Sequence, residues 1–364
     1  MSNTTNTLQT DHFPNLNALR FMAASMVLVG HTEQIKGWHG YKSYFLQFPF
    51  LFQGGHLAVI FFFVLSGFLI THIIRQKSLV NKFSVSDFYK KRIIRIWPLY
   101  YFIIMLGLYV LPQIGFMAHD SEWVDSLSKL NPRELNEATF FYFLVLPNIS
   151  MHYGVFEYLG HTWSIGVEEQ FYLIWPLLMK SFKTSMTALL LTVIGSVWVF
   201  RVMTEIFDWR ALGAFISMFR IDSMAIGGVS AIILTDHVWL KKYVLNRWIE
   251  LSAILIVVVF YFSNVHFGII SDEVYSILFS LIIINAAAFP QTAIKLERFR
   301  LIGYLGQVSY GIYMYHPIVA MLALLIFNYI HPSYMASLTS NLVFYGLVFG
   351  MSIATATAYY ELVE

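Results

Sequence analysis

The stretch 16-LNALRFMAASMVLVGHT-32 places two ionisable side chains, Arg20 and His31, inside an otherwise apolar run. A helix turns about 100° per residue, so positions 20 and 31 return to nearly the same face. At 1.5 Å per residue they stand roughly 16 Å apart along its axis. Ionisable groups are costly in a lipid bilayer and mark a substrate path or a reaction site by default. The run therefore reads as a membrane span that carries a function rather than as a plain anchor.

Composition extends this reading to the whole chain. Of 364 residues, 58% are hydrophobic, 18% aromatic and 12% charged, whereas soluble domains carry about 25% charge. Apolar runs of span length recur, as transmembrane helices require. The expected fold is an all-α polytopic membrane protein. Cysteine is absent, which excludes disulfides, thiol nucleophiles and cysteine metal sites, and no metal is expected. A net charge of +2 argues against a nucleic-acid partner. The first long apolar run contains Arg20 and shows no obvious small-residue cleavage site, so a signal peptide is not expected. Residues 1–14 read as a flexible tail and 15–364 as one domain, without a detectable internal repeat.

Candidate spans lie at 16–32, 56–75, 93–111, 138–150, 162–180, 186–206, 212–235, 248–264, 273–289, 301–328 and 337–360. Lys and Arg favour cytoplasmic loops, and this decides whether 138–150, which is short and contains Pro147, crosses. If it does not, fourteen cations fall inside: Arg75, Lys77, Lys82, Lys90, Lys91, Arg92, Lys180, Lys183, Lys241, Lys242, Arg247, Lys295, Arg298 and Arg300. Only Lys36, Lys42, Lys129, Arg133 and Arg210 then remain outside. The expectation is ten helices around a polar interior cavity with both termini cytoplasmic. Segment 138–150 becomes a short re-entrant or peripheral helix, and 119–137 an external loop.

Depth can be counted at 1.5 Å per residue through a core of about 30 Å. His31 and His316 both fall roughly 22 Å from the inner face, with Glu168 at about 18 Å and Arg220 close to it. Arg20, Arg92 and Arg95 gather near that face. Each has a plain structural reading taken singly: a packing histidine, an interhelical ion pair, a cytoplasmic anchor. Convergence on two depths favours function. Guanidiniums grip phosphate through forked, charge-assisted hydrogen bonds, and a neutral imidazole suits general-base chemistry near neutral pH.

Six ordered stretches carry a resemblance: 17-NALRFMAASMVLVGH-31, 54-GGHLAVIFFFVLSGFLIT-71, 88-FYKKRIIRIWPLYY-101, 161-HTWSIGVEEQFYLIWP-176, 219-FRIDSMAIGG-228 and 305-LGQVSYGIYMYHP-317. Together they resemble the integral-membrane acyltransferase family 3, in its stand-alone form without a fused extracytoplasmic hydrolase-like domain. The resemblance implies an enzyme of a bacterial inner membrane. Its donor would be cytoplasmic acyl-CoA, usually acetyl-CoA, and its acceptor a hydroxyl-bearing glycan or lipid. It implies that His31 is the essential histidine and that Arg20, Arg92 and Arg95 help hold the CoA. Glu168 joins His31 as a catalytic candidate, with Glu168 or Asp222 orienting the imidazole. Trp163, Ser164, Arg220, Asp222, Tyr310, Tyr313 and His316 are candidates for lining the substrate site. Family members often continue past a Val-Glu-Lys/Arg-Pro, whereas this sequence stops at YYELVE. The acceptor stays open. The alternative function is a transporter or exporter of an anionic or lipid-linked substrate, which the lack of an internal repeat disfavours.

Overall fold

The computed structural model describes residues 13–44, 47–114, 131–153, 158–182, 184–330 and 337–363. The expected tail (apart from its last two residues), most of the expected external loop, Lys129 and Lys183 lie outside the described residues. What is described is helical: α1 (Pro14–Trp38), α2 (Pro49–Leu79), α3 (Val85–Met105), α4 (Pro132–Phe143), α5 (Pro147–Ser150), α6 (Trp163–Ser181), α7 (Met186–Ile206), α8 (Arg210–Phe219), α9 (Ile221–Thr235), α10 (Val238–Val244), α11 (Arg247–Phe262), α12 (Ser271–Ala288), α13 (Arg300–Gln307), α14 (Ser309–Ile330) and α15 (Leu338–Val363).

Local chemistry sets many of these boundaries. Pro14 and Pro49 open α1 and α2, where a missing N–H costs nothing. The Ser84 hydroxyl accepts from the Asp87 N–H to cap α3, and Asn131 with Glu134 forms a reciprocal capping box on α4. Seven helices among the described residues are long and apolar enough to cross a membrane, or eight if α10 and α11, bent by 59° at their junction, count as one span.

The expected elements need three corrections. Segment 138–150 is not one helix: α4 ends at Phe143, Val145 takes a positive φ of 60°, and the single turn α5 follows. The span 212–235 breaks at Arg220, which adopts the left-handed conformation at φ 44° between α8 and α9. The span 301–328 divides at Val308 into α13 and α14. Apolarity averaged over a span does not reveal such breaks, because the stretches on either side of them are mostly apolar.

The centre of the bundle is the contact of α2 with α9. A Cβ on Gly67 would collide with the Met224 backbone, and one on Gly227 with the Val64 backbone. These glycines bring the two helix backbones together, the small-residue packing that membrane helices use in place of a hydrophobic driving force. The apolar core continues through Phe63, Phe68, Tyr100, Trp175 and Phe344, all fully buried.

Gly227→Ala overpacks this contact, which costs about 1–3 kcal/mol. Thermal denaturation of the purified protein is expected to show a lowered Tm. Gly195→Ala is the control and should not lower it, since its Cβ meets nothing within 4 Å.

Candidate active site

Helices α1, α2, α3, α6 and α14 enclose a cavity of about 550 Å³, also bordered by Tyr360 of α15. Its wall on α2 runs from Ile73 to Val59, roughly 21 Å along the helix axis. One end carries Arg20, Arg92 and Arg95; the other carries Val59, Phe62, Ser164 and Tyr313. The Arg20 guanidinium donates to Asn17 Oδ1 at 2.6 Å. The Arg92 guanidinium lies over the rings of Tyr172 and Phe88, 5.1 and 5.5 Å from their centroids. Arg95 is exposed on the same helix.

Among the described residues Glu168 is the one carboxylate on the wall. Its Oε1 accepts from Ser66 Oγ at 2.8 Å and its Oε2 from the Tyr172 hydroxyl at 2.7 Å. Glu169, its neighbour, accepts from Trp97 Nε1 at 2.9 Å. Among the described residues no carboxylate forms an ion pair with Arg20, Arg92 or Arg95. Three guanidiniums therefore share one cavity with a single carboxylate that is held by hydroxyls.

Hydrogen bonds tie together the residues at the far end. The Tyr313 hydroxyl donates to the His161 carbonyl at 2.8 Å, and Ser164 Oγ lies 2.7 Å from the Tyr313 hydroxyl. Next to these residues, His31 Nδ1 is 2.7 Å from His316 Nε2, the two rings nearly parallel at 5° and meeting edge to edge with centroids 5.0 Å apart. His316 Nδ1 is 2.5 Å from the Tyr313 carbonyl oxygen. A third imidazole, His161, stands edge-on to His316 at 5.2 Å and is 4% exposed. Sequence reasoning did not single out His161. Its one signal was its place two residues ahead of Trp163 at the mouth of a span.

The layer expected from depth resolves into separate clusters, because axial depth says nothing about the direction a side chain takes around its helix. His31 and His316 do meet. Glu168 instead faces the arginine cavity, and neither it nor Asp222 bonds to His31. Arg220 ion-pairs with Asp272, whose other oxygen lies 2.7 Å from His56 Nε2. Asp222 pairs with Arg201 at 3.0 Å, and Arg201 also with Glu273. Arg220 and Asp222 are thus absent from the cavity wall, as are His31, His316 and Trp163, whose ring packs on Phe63 at 5.9 Å. Ser164, Tyr310 and Tyr313 line the same cavity as the arginines, and the Tyr310 hydroxyl donates to the Ile96 carbonyl at 2.9 Å.

The acyltransferase domain profile matches residues 13–361. The chain belongs to the acyltransferase 3 family. Over 335 residues it is 26% identical to the peptidoglycan O-acetyltransferase OatA of Listeria monocytogenes, covering 85% of this chain and 50% of that protein. An uncharacterised protein of Haemophilus influenzae is 29% identical over 213 residues, 54% of this chain and 83% of the relative. The chain thus spans about half the length of OatA. No solved structure matches. With this family membership, the apolar helices are those of a membrane protein.

This acyltransferase 3 chain holds another buried charge near the Trp38 end of α1. Lys36 is fully buried and donates to Glu33 Oε1 at 2.5 Å and to Asn341 Oδ1 at 2.8 Å. Glu33 also accepts from the Tyr345 hydroxyl and the Tyr44 N–H. Lys36 is therefore not the external loop charge expected from the sequence, because α1 runs on to Trp38 and α15 packs against it. Removing one partner of a buried pair costs about 3–5 kcal/mol. Lys36→Met should accordingly lower Tm more than the double variant Glu33→Gln/Lys36→Met, read by the same thermal denaturation.

Proposed function

We propose that this protein transfers an acyl group, acetyl foremost, from acyl-CoA on the cytoplasmic side to a hydroxyl of an extracytoplasmic glycan or lipid-linked acceptor. The observation that carries the reading is one cavity with three guanidiniums against one carboxylate at one end and an imidazole pair next to the other. An anion with several phosphate oxygens suits the first end. A thioester arm reaching along the cavity would approach the imidazoles. OatA is named for O-acetylation of peptidoglycan, which supports a sugar hydroxyl as the acceptor.

In the reaction, His31 takes the proton of the acceptor hydroxyl. The oxygen attacks the thioester carbonyl, a C–O bond forms and the C–S bond breaks. The CoA thiolate leaves and recovers the proton from His31. Charge equals charge at every step, with no redox partner. The Ser66 and Tyr172 hydroxyls keep Glu168 in the wall, where it faces the arginines rather than the imidazole.

Ten crossings fit this scheme: the seven long apolar helices, together with α1, α6 and α11. Helix α1 has 25 residues and α6 has 19, long enough to span, but both carry functional polar groups that lower their hydropathy. Both termini would be cytoplasmic and the setting a bacterial inner membrane.

Isothermal titration of the purified protein with acetyl-CoA tests the donor site. Arg92→Ala and Arg95→Ala each remove charge-assisted hydrogen bonds worth about 1.5–3 kcal/mol, so Kd should rise roughly 10- to 100-fold. An unchanged Kd in both variants would overturn the donor assignment. His31→Ala should bind acetyl-CoA normally and lose turnover by about 10²–10⁴-fold, the usual worth of a general base. Retained turnover in that variant would remove His31 from the chemistry.

A further inference from the structure

We infer that His316 is a positioning residue that locks His31 in one tautomer and makes Nε2 of His31 the nitrogen that reacts. The inference rests on the proposed acyl transfer for its consequence in catalysis, but its structural content stands on three linked hydrogen-bonding groups.

The chain of logic begins at Pro317. A helical carbonyl normally accepts from the N–H four residues ahead. For Tyr313 that residue is Pro317, inside α14, which has no N–H to give. The freed Tyr313 carbonyl instead lies 2.5 Å from His316 Nδ1. A carbonyl oxygen can only accept, so the proton of this bond sits on His316 Nδ1. The Nε2 of neutral His316 then carries the lone pair. That Nε2 lies 2.7 Å from His31 Nδ1, so His31 must donate there through Nδ1–H. Neutral His31 is left with its lone pair on Nε2. Proline at 317 and histidine at 316 thus dictate the tautomer of a residue on a different helix.

The surroundings keep this arrangement from reversing. His316 is 1% exposed, where an unpaired fixed charge is costly. The titratable groups facing the pair are His161, 5.2 Å from the His316 ring, and Tyr313, 5.7 Å from it. Glu33, two residues beyond His31, is committed to Lys36, Tyr345 and Tyr44. Were His316 protonated at both nitrogens, its Nε2–H would demand the lone pair of His31 Nδ1. The His31 proton would move to Nε2 and the base would be lost. During transfer His316 does not change protonation. It accepts from His31 Nδ1–H throughout, more strongly while His31 is an imidazolium, as the aspartate of a hydrolase triad does with its histidine.

The test uses the full chain, with two readouts. Nitrogen-15 NMR of histidine-labelled protein at neutral pH, assigned with His31→Ala, reports which ring nitrogen bears the proton. The wild type should show His31 protonated on Nδ1 and bare on Nε2. His316→Gln, whose amide oxygen can accept from His31 Nδ1–H, should keep that tautomer. His316→Phe, which retains a ring but no acceptor, should lose it. The second readout is CoA-thiol release from acetyl-CoA by purified protein in liposomes of envelope lipid extract; the chain has no cysteine, so a thiol reagent reports CoA alone. His316→Phe should lose turnover by about 10²–10⁴-fold, and His316→Gln should recover at least a tenfold part of that loss. Acetyl-CoA Kd should stay within threefold in both. A wild-type His31 protonated on Nε2 overturns the inference, and so does His316→Phe keeping both the tautomer and the turnover. A wild type that releases no CoA overturns the proposed function instead, and the NMR result still decides the tautomer.

Discussion

Positive charge enclosed by a membrane bundle needs a compensating anion. At Arg20, Arg92 and Arg95 the protein supplies too little of it. Among the described residues the cavity wall carries one carboxylate, Glu168, and its oxygens accept from Ser66 and Tyr172. Arg95 is exposed, but for the half-buried Arg20 and Arg92 such an imbalance is costly. The aromatic rings beneath Arg92 relieve part of it without neutralising the charge. The rest of the molecule can be understood as the scaffold that holds this imbalance open: the close α2–α9 contact stiffens one wall, and the Ser164–Tyr313 hydrogen bond ties α6 to α14 at the far end.

The other buried charges behave differently, and the contrast is informative. Arg201 is met by Asp222 and Glu273, Arg220 by Asp272, and Lys36 by Glu33. In each of these, cation and anion come from the chain itself, and the pair ties helices or a helix turn together. Buried ion pairs of that kind are poor sources of net stability yet costly to break. Whether a buried cation is answered from within is therefore a better guide to function here than burial itself.

Much of this was legible in the sequence, and the failures share a cause. The spacing of Arg20 and His31 puts both on one helix, and counting depth groups the arginines that line the cavity and the two histidines that meet. Counting does not assign azimuth, so it gives no sign that Arg220 pairs with α12 and Asp222 with α7, away from the cavity wall. Helix ends were equally hidden. Lys36 reads as a loop residue because nothing in the sequence marks that α1 continues to Trp38, and the breaks at Arg220 and Val308 lie between stretches that are mostly apolar. His161 escaped because a lone histidine beside a tryptophan motif carries no periodic signal; only its ring contacts with His316 and Tyr313 distinguish it.

The most direct measurement is a structure determined with acetyl-CoA bound. The account predicts phosphate density among Arg20, Arg92 and Arg95, with the pantetheine arm running past Glu168 and the thioester against Ser164 and Tyr313. Density seated at the Arg201–Asp222–Glu273 cluster, or on the outer surface of the bundle with the arginine cavity left empty, would contradict it.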